Sequence, residues 1–278
     1  MQASKTARPD GEVALPRPSA TVVLAREGIG APELFLVHRD ARASFGASFV
    51  FPGGLLDRSD CEADAFSSEF SGEMANRSLG LASGGLDYYC AAIRELFEET
   101  GVLLARHAGG AMVSGASAEQ LELEAARSAL NAGNLRWSEF LRQHELTLAC
   151  DALRYFAWWI TPRTRPKRFS TRFFLAALPD GQAAVHDGRE LTDSRWSTAA
   201  AALASHESGE LVLPPPTRAT LKDLARSETL EQLLDWARRR AEAGVPRILP
   251  AIVDSGGGER IVLPGDPDYP ANADRDER

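Results

Sequence analysis

The chain has 278 residues, of which 44% are hydrophobic and 25% charged, with a formal net charge of −8. That size and balance fit a soluble globular protein with room for a large core. They argue against a broad surface for nucleic acid or anionic membrane, which needs a basic face.

Three cysteines, Cys61, Cys90 and Cys150, form no CxxC pair and no zinc-like Cys/His cluster, which points to a reducing, cytoplasmic setting. No stretch approaches the roughly 18 apolar residues of a membrane span, and the N-terminus lacks a signal-peptide core.

Residues 1–18 read as a disordered polar tail with scattered prolines. "SATVVLARE" and "ELFLVHR" read as two strands joined by the turn "GIGAP", and "ASFVFPGG" as a third strand running into a double glycine, Gly53 and Gly54. Residues 58–85 are polar and read as an inserted loop with at most a short helix. Residues 86–100 lack Pro and Gly and stop at Gly101, the signature of a helix with a glycine exit.

Residues 118–130 and 137–144 also read as helices, inside a second insertion over 107–150. "LRYFAWWITP" and "TRFFLAALP" read as buried strands, and "RELTDSRWS" as a shorter one. "TAAAALASHES" is a helix, followed by two more over 217–244 that break near Ser227, then a small hairpin around "SGGG". Leu221, Leu224, Leu230, Leu233, Leu234 and Trp236 serve either an internal core, the favoured reading, or a homodimer interface. Strands and helices mix without strict βαβ alternation, which predicts an α/β fold with a mixed sheet between helices.

The chemistry concentrates in "RELFEETG". At about 100° per residue, Glu95, Glu98 and Glu99 fall on one face of a helix, where like charges repel. A solvated acidic face is the plain explanation. The sharper one is a site for hard divalent cations, Mg²⁺ or Mn²⁺, which take carboxylate oxygens. Arg94 can pair with Glu98 across one turn or orient a neighbouring carboxylate.

These residues carry a resemblance. The stretch "GG…RELFEETGV" is similar to the signature of the Nudix hydrolases: a Gly, five residues, a Glu, seven residues, then Arg-Glu-apolar-x-Glu-Glu-x-Gly-apolar. Gly54 falls at the first position, and Asp60 stands where the first Glu would be. Arg94, Glu95, Leu96, Glu98, Glu99, Gly101 and Val102 match the second half. About 26 extra residues separate the halves, since Asp60 and Arg94 lie 34 apart instead of eight.

The resemblance implies the Nudix fold over residues 19–205, with 206–278 as a C-terminal helical extension and tail. It also implies hydrolysis of a diphosphate in a nucleoside diphosphate derivative. Metal ligands would come from Glu95, Glu98, Glu99 and the Gly53 carbonyl. Glu190, six residues before Trp196, matches a further family ligand. Glu95, Glu98 and Arg94 are the catalytic candidates, Glu98 either sharing a metal or acting as base.

The long insertion together with "FVFPGGLLD" and "LPPPTRATLKDLA" resembles the subgroup that includes peroxisomal coenzyme A diphosphatases. Coenzyme A or an acyl-coenzyme A is therefore the first expectation for substrate. The alternatives are another nucleotide, such as NADH or ADP-ribose, and a non-catalytic ligand sensor. Arg39, Arg42, Gly54 and Arg172 are the substrate-binding candidates, because arginine forks suit phosphate oxygens.

Overall fold

The computed structural model describes residues 13–39, 47–67, 69–115, 117–188, 191–256, 258–271 and 273. In chain order, strands β1 (Arg17–Arg26), β2 (Glu33–Arg39), β3 (Ser48–Val50) and β4 (Gly53–Leu55) precede helices α1 (Arg58–Ala63), α2 (Gly72–Leu79) and α3 (Gly85–Thr100). Then come β5 (Ala105–Arg106), α4 (Ser117–Asn131), α5 (Trp137–Gln143), β6 (Thr147–Leu148), β7 (Arg154–Ile160), β8 (Phe169–Ala177) and β9 (Leu191–Thr198). The chain finishes with α6 (Ala199–Glu207), α7 (Pro215–Leu224), α8 (Leu230–Glu242), β10 (Arg247–Ile248), β11 (Ala251–Asp254) and β12 (Glu259–Val262).

Eight strands form one mixed sheet in the order β10-β7-β8-β1-β2-β3, with β4 also pairing β1 and β9 also pairing β2. The central strand β1 runs parallel to β8 and antiparallel to both β2 and β4. Its side chains alternate between two cores, as the period of two along a strand requires. Ala20, Val22 and Leu24 join a core with α3 and its neighbours, while Val23 and Ala25 join one with α6, α7 and α8. Leu221, Leu224 and Leu233 are buried in that second core, and Trp236 packs against it.

Helix α3 carries Arg94, Glu95, Glu98 and Glu99. It ends where Gly101 adopts φ 76°, a left-handed conformation that glycine reaches without strain. The second insertion braces its outer side: Phe97 stacks on Phe140 of α5 at 5.3 Å between ring centres, and Trp137 on Phe140 at 5.4 Å.

Two local expectations are corrected. The segment over 58–85 holds two helices. Both start on polar caps: the Asp57 side chain accepts from Ser59 N, and the Ser71 side chain from Met74 N. The third strand is two, β3 and β4, interrupted at residues 51–52 where proline has no N–H to give a ladder. Two-residue strands β5 and β6 pair with each other across the second insertion.

Candidate functional site

Helix α3 and strand β4 meet at the double glycine. Gly53 has φ 148°, and a Cβ there would lie 2.3 Å from the Ala20 carbonyl oxygen, so only glycine fits. A Cβ on Gly54 would lie 2.4 Å from Glu95 Oε2, so the missing side chain is the seat of the Glu95 carboxylate. Glu99 closes the junction from one turn further on, its Oε2 accepting the Gly53 N–H at 2.9 Å. Its Oε1 accepts from Arg39 Nη2 at 2.6 Å, and the same nitrogen donates to the Gly53 carbonyl.

Arg94 organises the other acids. Its Nε and Nη2 grip both oxygens of Asp60 at 2.8 and 3.1 Å, its Nη1 donates to Glu95 at 2.9 Å and Glu98 at 3.1 Å, and Nη2 reaches the Leu55 carbonyl at 3.0 Å. Asp60 is fully buried, and α1 exists to deliver it: as the third helical residue, it also accepts the Asp57 N–H at 2.7 Å. The expected pairing of Arg94 with Glu98 and its contact with a neighbouring carboxylate thus occur together.

Burial raises the Glu95 carboxyl, against the pull of Arg94. It pushes Glu98 up to about 7, again with Arg94 opposing and Glu95 adding. Burial raises Asp60 too, despite its arginine partner. The acids are therefore crowded beyond what Arg94 alone neutralises. In the folded chain Glu98 keeps its proton up to about pH 7, against an ordinary value of 4.5 once unfolded. The folded state thus binds more protons in that window, and stability rises as pH falls through about 7. Metal-free protein in chelator is expected to resist urea better at about pH 5.5 than at about pH 8. Glu98→Gln should reduce that difference, the remainder coming from the other raised acids, Glu95, Asp60 and Asp64, and an unchanged slope in the variant would remove Glu98 as a source.

Two residues that sequence reasoning missed hold the end of α3. Arg127 Nε and Asn131 Nδ2, one turn apart on α4, both donate to the Glu98 carbonyl oxygen, at 3.0 and 3.1 Å. A cation there also suits the negative end of the helix dipole. Their i, i+4 spacing was visible, but the acceptor, about 30 residues upstream, was not.

Arg172 lies on another part of the same sheet face. The pairs Gly54–Ala20, Ala20–Arg172 and Arg172–Trp158 make one rung across four strands. Its guanidinium is buried, 3.6 Å from the ring centre of Trp158, and Nη1 donates to the Tyr155 hydroxyl at 2.5 Å. Among the described residues its Nε has no hydrogen-bond partner. Arg42 and Glu190 lie outside the described residues.

Among the described residues, no three acidic, His or Cys side chains are arranged as a finished metal centre. The donors fit a hard divalent cation in kind: carboxylates of Glu95, Glu98 and Glu99, and a backbone carbonyl brought close by a glycine. A positive group, the Arg39 guanidinium, already bridges two of them, Glu99 and Gly53 O.

The sequence model of the NUDT19 Nudix domain matches residues 70–226. The acyl-coenzyme A diphosphatase NUDT19 of Homo sapiens is 29% identical over 280 residues, covering 87% of this chain and 73% of that protein. Its Xenopus laevis counterpart is 26% identical over 275 residues, with 87% and 72% covered. Among solved structures, a Nudix hydrolase from Alicyclobacillus acidocaldarius superposes with a TM-score of 0.62 at 28% identity, covering 79% of this chain and 96% of that one.

Proposed function

Since the chain belongs to the Nudix hydrolase family, we propose that it cleaves the diphosphate linkage of coenzyme A or an acyl-coenzyme A with the help of Mg²⁺ or Mn²⁺. The observation that carries this reading is the junction of Glu95 and Glu99 with the double glycine, where main-chain and carboxylate oxygens converge. The human and frog relatives are acyl-coenzyme A diphosphatases, and they supply the substrate class. Three unpaired thiols suit a cytoplasmic setting, and among the described residues no helix is long and apolar enough to cross a membrane.

A bound divalent cation would offset the phosphate charge and acidify nearby water. The chain's own residues do the rest. Glu95, Glu99 and the Gly53 carbonyl would hold the ion, with Glu190 as a fourth candidate. Glu98, already poised near neutrality, would take the proton of the attacking water at its carboxylate. Arg94 positions Glu95 and Glu98 from behind. Arg39 would meet phosphate oxygens at the mouth, and Arg42 remains a sequence-based candidate for the same role.

Arg172 suits a second anionic group of the substrate. Its Cα sits about 10 Å from that of Gly54, two strand spacings away. Coenzyme A carries such a group, the 3′-phosphate, which dephospho-coenzyme A lacks.

The test is hydrolysis of coenzyme A, an acyl-coenzyme A, dephospho-coenzyme A, NADH and ADP-ribose with each ion, products identified by mass. Coenzyme A or its ester is expected to be cleaved at the diphosphate. Arg172→Met should raise KM for coenzyme A about tenfold, the worth of one charge-assisted contact, and change dephospho-coenzyme A far less. Cleavage of none of the five with either ion would transfer the chain to the sensors.

A further inference from the structure

The cation-binding junction contains a rival for the cation. Arg39 is the last residue of β2, where a register shift between His38 and Arg39 interrupts the pairing with β9. From there its Nη2 reaches across 60 residues of sequence to Glu99 Oε1 at 2.6 Å, and to the carbonyl oxygen of Gly53. Glu99 in turn is tied to the Gly53 N–H, so carboxylate, peptide and guanidinium form one closed ring. Arg39 occupies the two groups assigned above to a divalent ion.

It does so differently from Arg94. The Arg94 side chain is 8% exposed and clasps a fully buried Asp60. The Arg39 side chain is 23% exposed at the rim, with Glu99 at 6% below it. The first is almost wholly enclosed, whereas the second is partly exposed.

A divalent ion held by these same oxygens could not coexist with the guanidinium in its present place. Two positive groups would then share one oxygen within a few ångströms, in a setting that screens poorly.

We propose that Arg39 and the divalent ion exchange at Glu99 and the Gly53 carbonyl, and that the displaced guanidinium becomes the fork that meets the incoming diphosphate. The inference rests on the metal-dependent reading of the site. It makes the ion and the diphosphate mutually reinforcing. The ion releases the arginine, and a phosphate that engages the arginine keeps it from returning, which is a coupling between the two ligands. Without substrate, Arg39 offsets the Glu99 charge and lowers the affinity of the site for ions.

The experiment is Mn²⁺ binding to the full chain without nucleotide, by calorimetry and by the loss of the free-ion electron paramagnetic resonance signal. The wild type is compared with Arg39→Met and Arg39→Gln, each checked for folding by circular dichroism. The variants are expected to bind Mn²⁺ about tenfold more tightly than wild type, a typical size for coupled sites. At saturating Mn²⁺ they should show a raised KM for the diphosphate substrate. Folded variants that bind Mn²⁺ as weakly as wild type, or more weakly, would overturn the exchange and leave the metal-dependent reading standing. A wild type and variants that all fail to bind Mn²⁺ would overturn both.

Discussion

Glu99→Gln is expected to lower turnover about 10³-fold, or about 4 kcal/mol of barrier, with the fold retained. The size follows from what the carboxylate does at one point in space. Glu99 Oε2 accepts the Gly53 N–H and so sits beside the Gly53 residue, and Oε1 supplies the negative charge that now holds Arg39. Glutamine keeps an acceptor for one of these contacts and nearly the same volume. Packing is therefore spared, and the loss falls on charge. A neutral amide neither attracts a divalent ion nor balances Arg39, so both cation and guanidinium lose their anchor.

The matched control is Glu98→Gln. If Glu98 is the base, that change should abolish the pH dependence of turnover near neutrality while leaving Mn²⁺ binding in place. Glu99→Gln should abolish the binding itself. Steady-state kinetics beside Mn²⁺ titration separates the two, with thermal melting as the check on folding. Turnover within tenfold of wild type in Glu99→Gln would remove the junction from the chemistry.

The sequence showed the site along the chain but not across it. A Pro-free run ending in glycine announces α3, and the acid stripe follows from helical spacing alone. The central strands are equally plain, because buried β-branched and aromatic runs bounded by turn residues have few other uses. What stayed hidden depends on distant partners. The helices α1 and α2 are short and polar, so their composition reads as loop, and only caps such as Asp57 with Asp60 mark their starts. Strands β5 and β6 are two residues each and exist because each finds the other.

Asp60 could be matched to the first acid of the signature, yet nothing local said that it would be sealed beneath Arg94. Likewise Arg39 read as a phosphate ligand on general grounds, while its grip on Glu99 and Gly53 is a contact over 60 residues. The long segment between the two signature halves does not separate them in space. It folds away as α1 and α2 against α3, with Tyr89 of α3 donating to Ser78 of α2 at 2.9 Å, and leaves Asp60 at its post.

The largest loss of stability is expected from Arg94→Met, about 3–5 kcal/mol, because it strands a buried negative charge. The arginine fills its donor inventory on four groups: Asp60, Glu95, Glu98 and the Leu55 carbonyl. Removing it leaves Asp60 with no counter-charge at 0% exposure and lets Glu95 and Glu98 repel at one turn's spacing. Lysine is no substitute, since one ammonium cannot span a fork geometry built for five N–H donors. If charge burial is the cause, neutralising the stranded partner should recover much of the loss. Asp60→Asn on the Arg94→Met background is therefore expected to be more stable than Arg94→Met alone, although Asp60→Asn by itself destabilises the wild type. Urea denaturation of the four proteins completes the cycle, with an interaction of about 1–3 kcal/mol between the two positions. Simple additivity of the two substitutions would mean that Arg94 acts as packing, and that the acids of α3 tolerate one another without it.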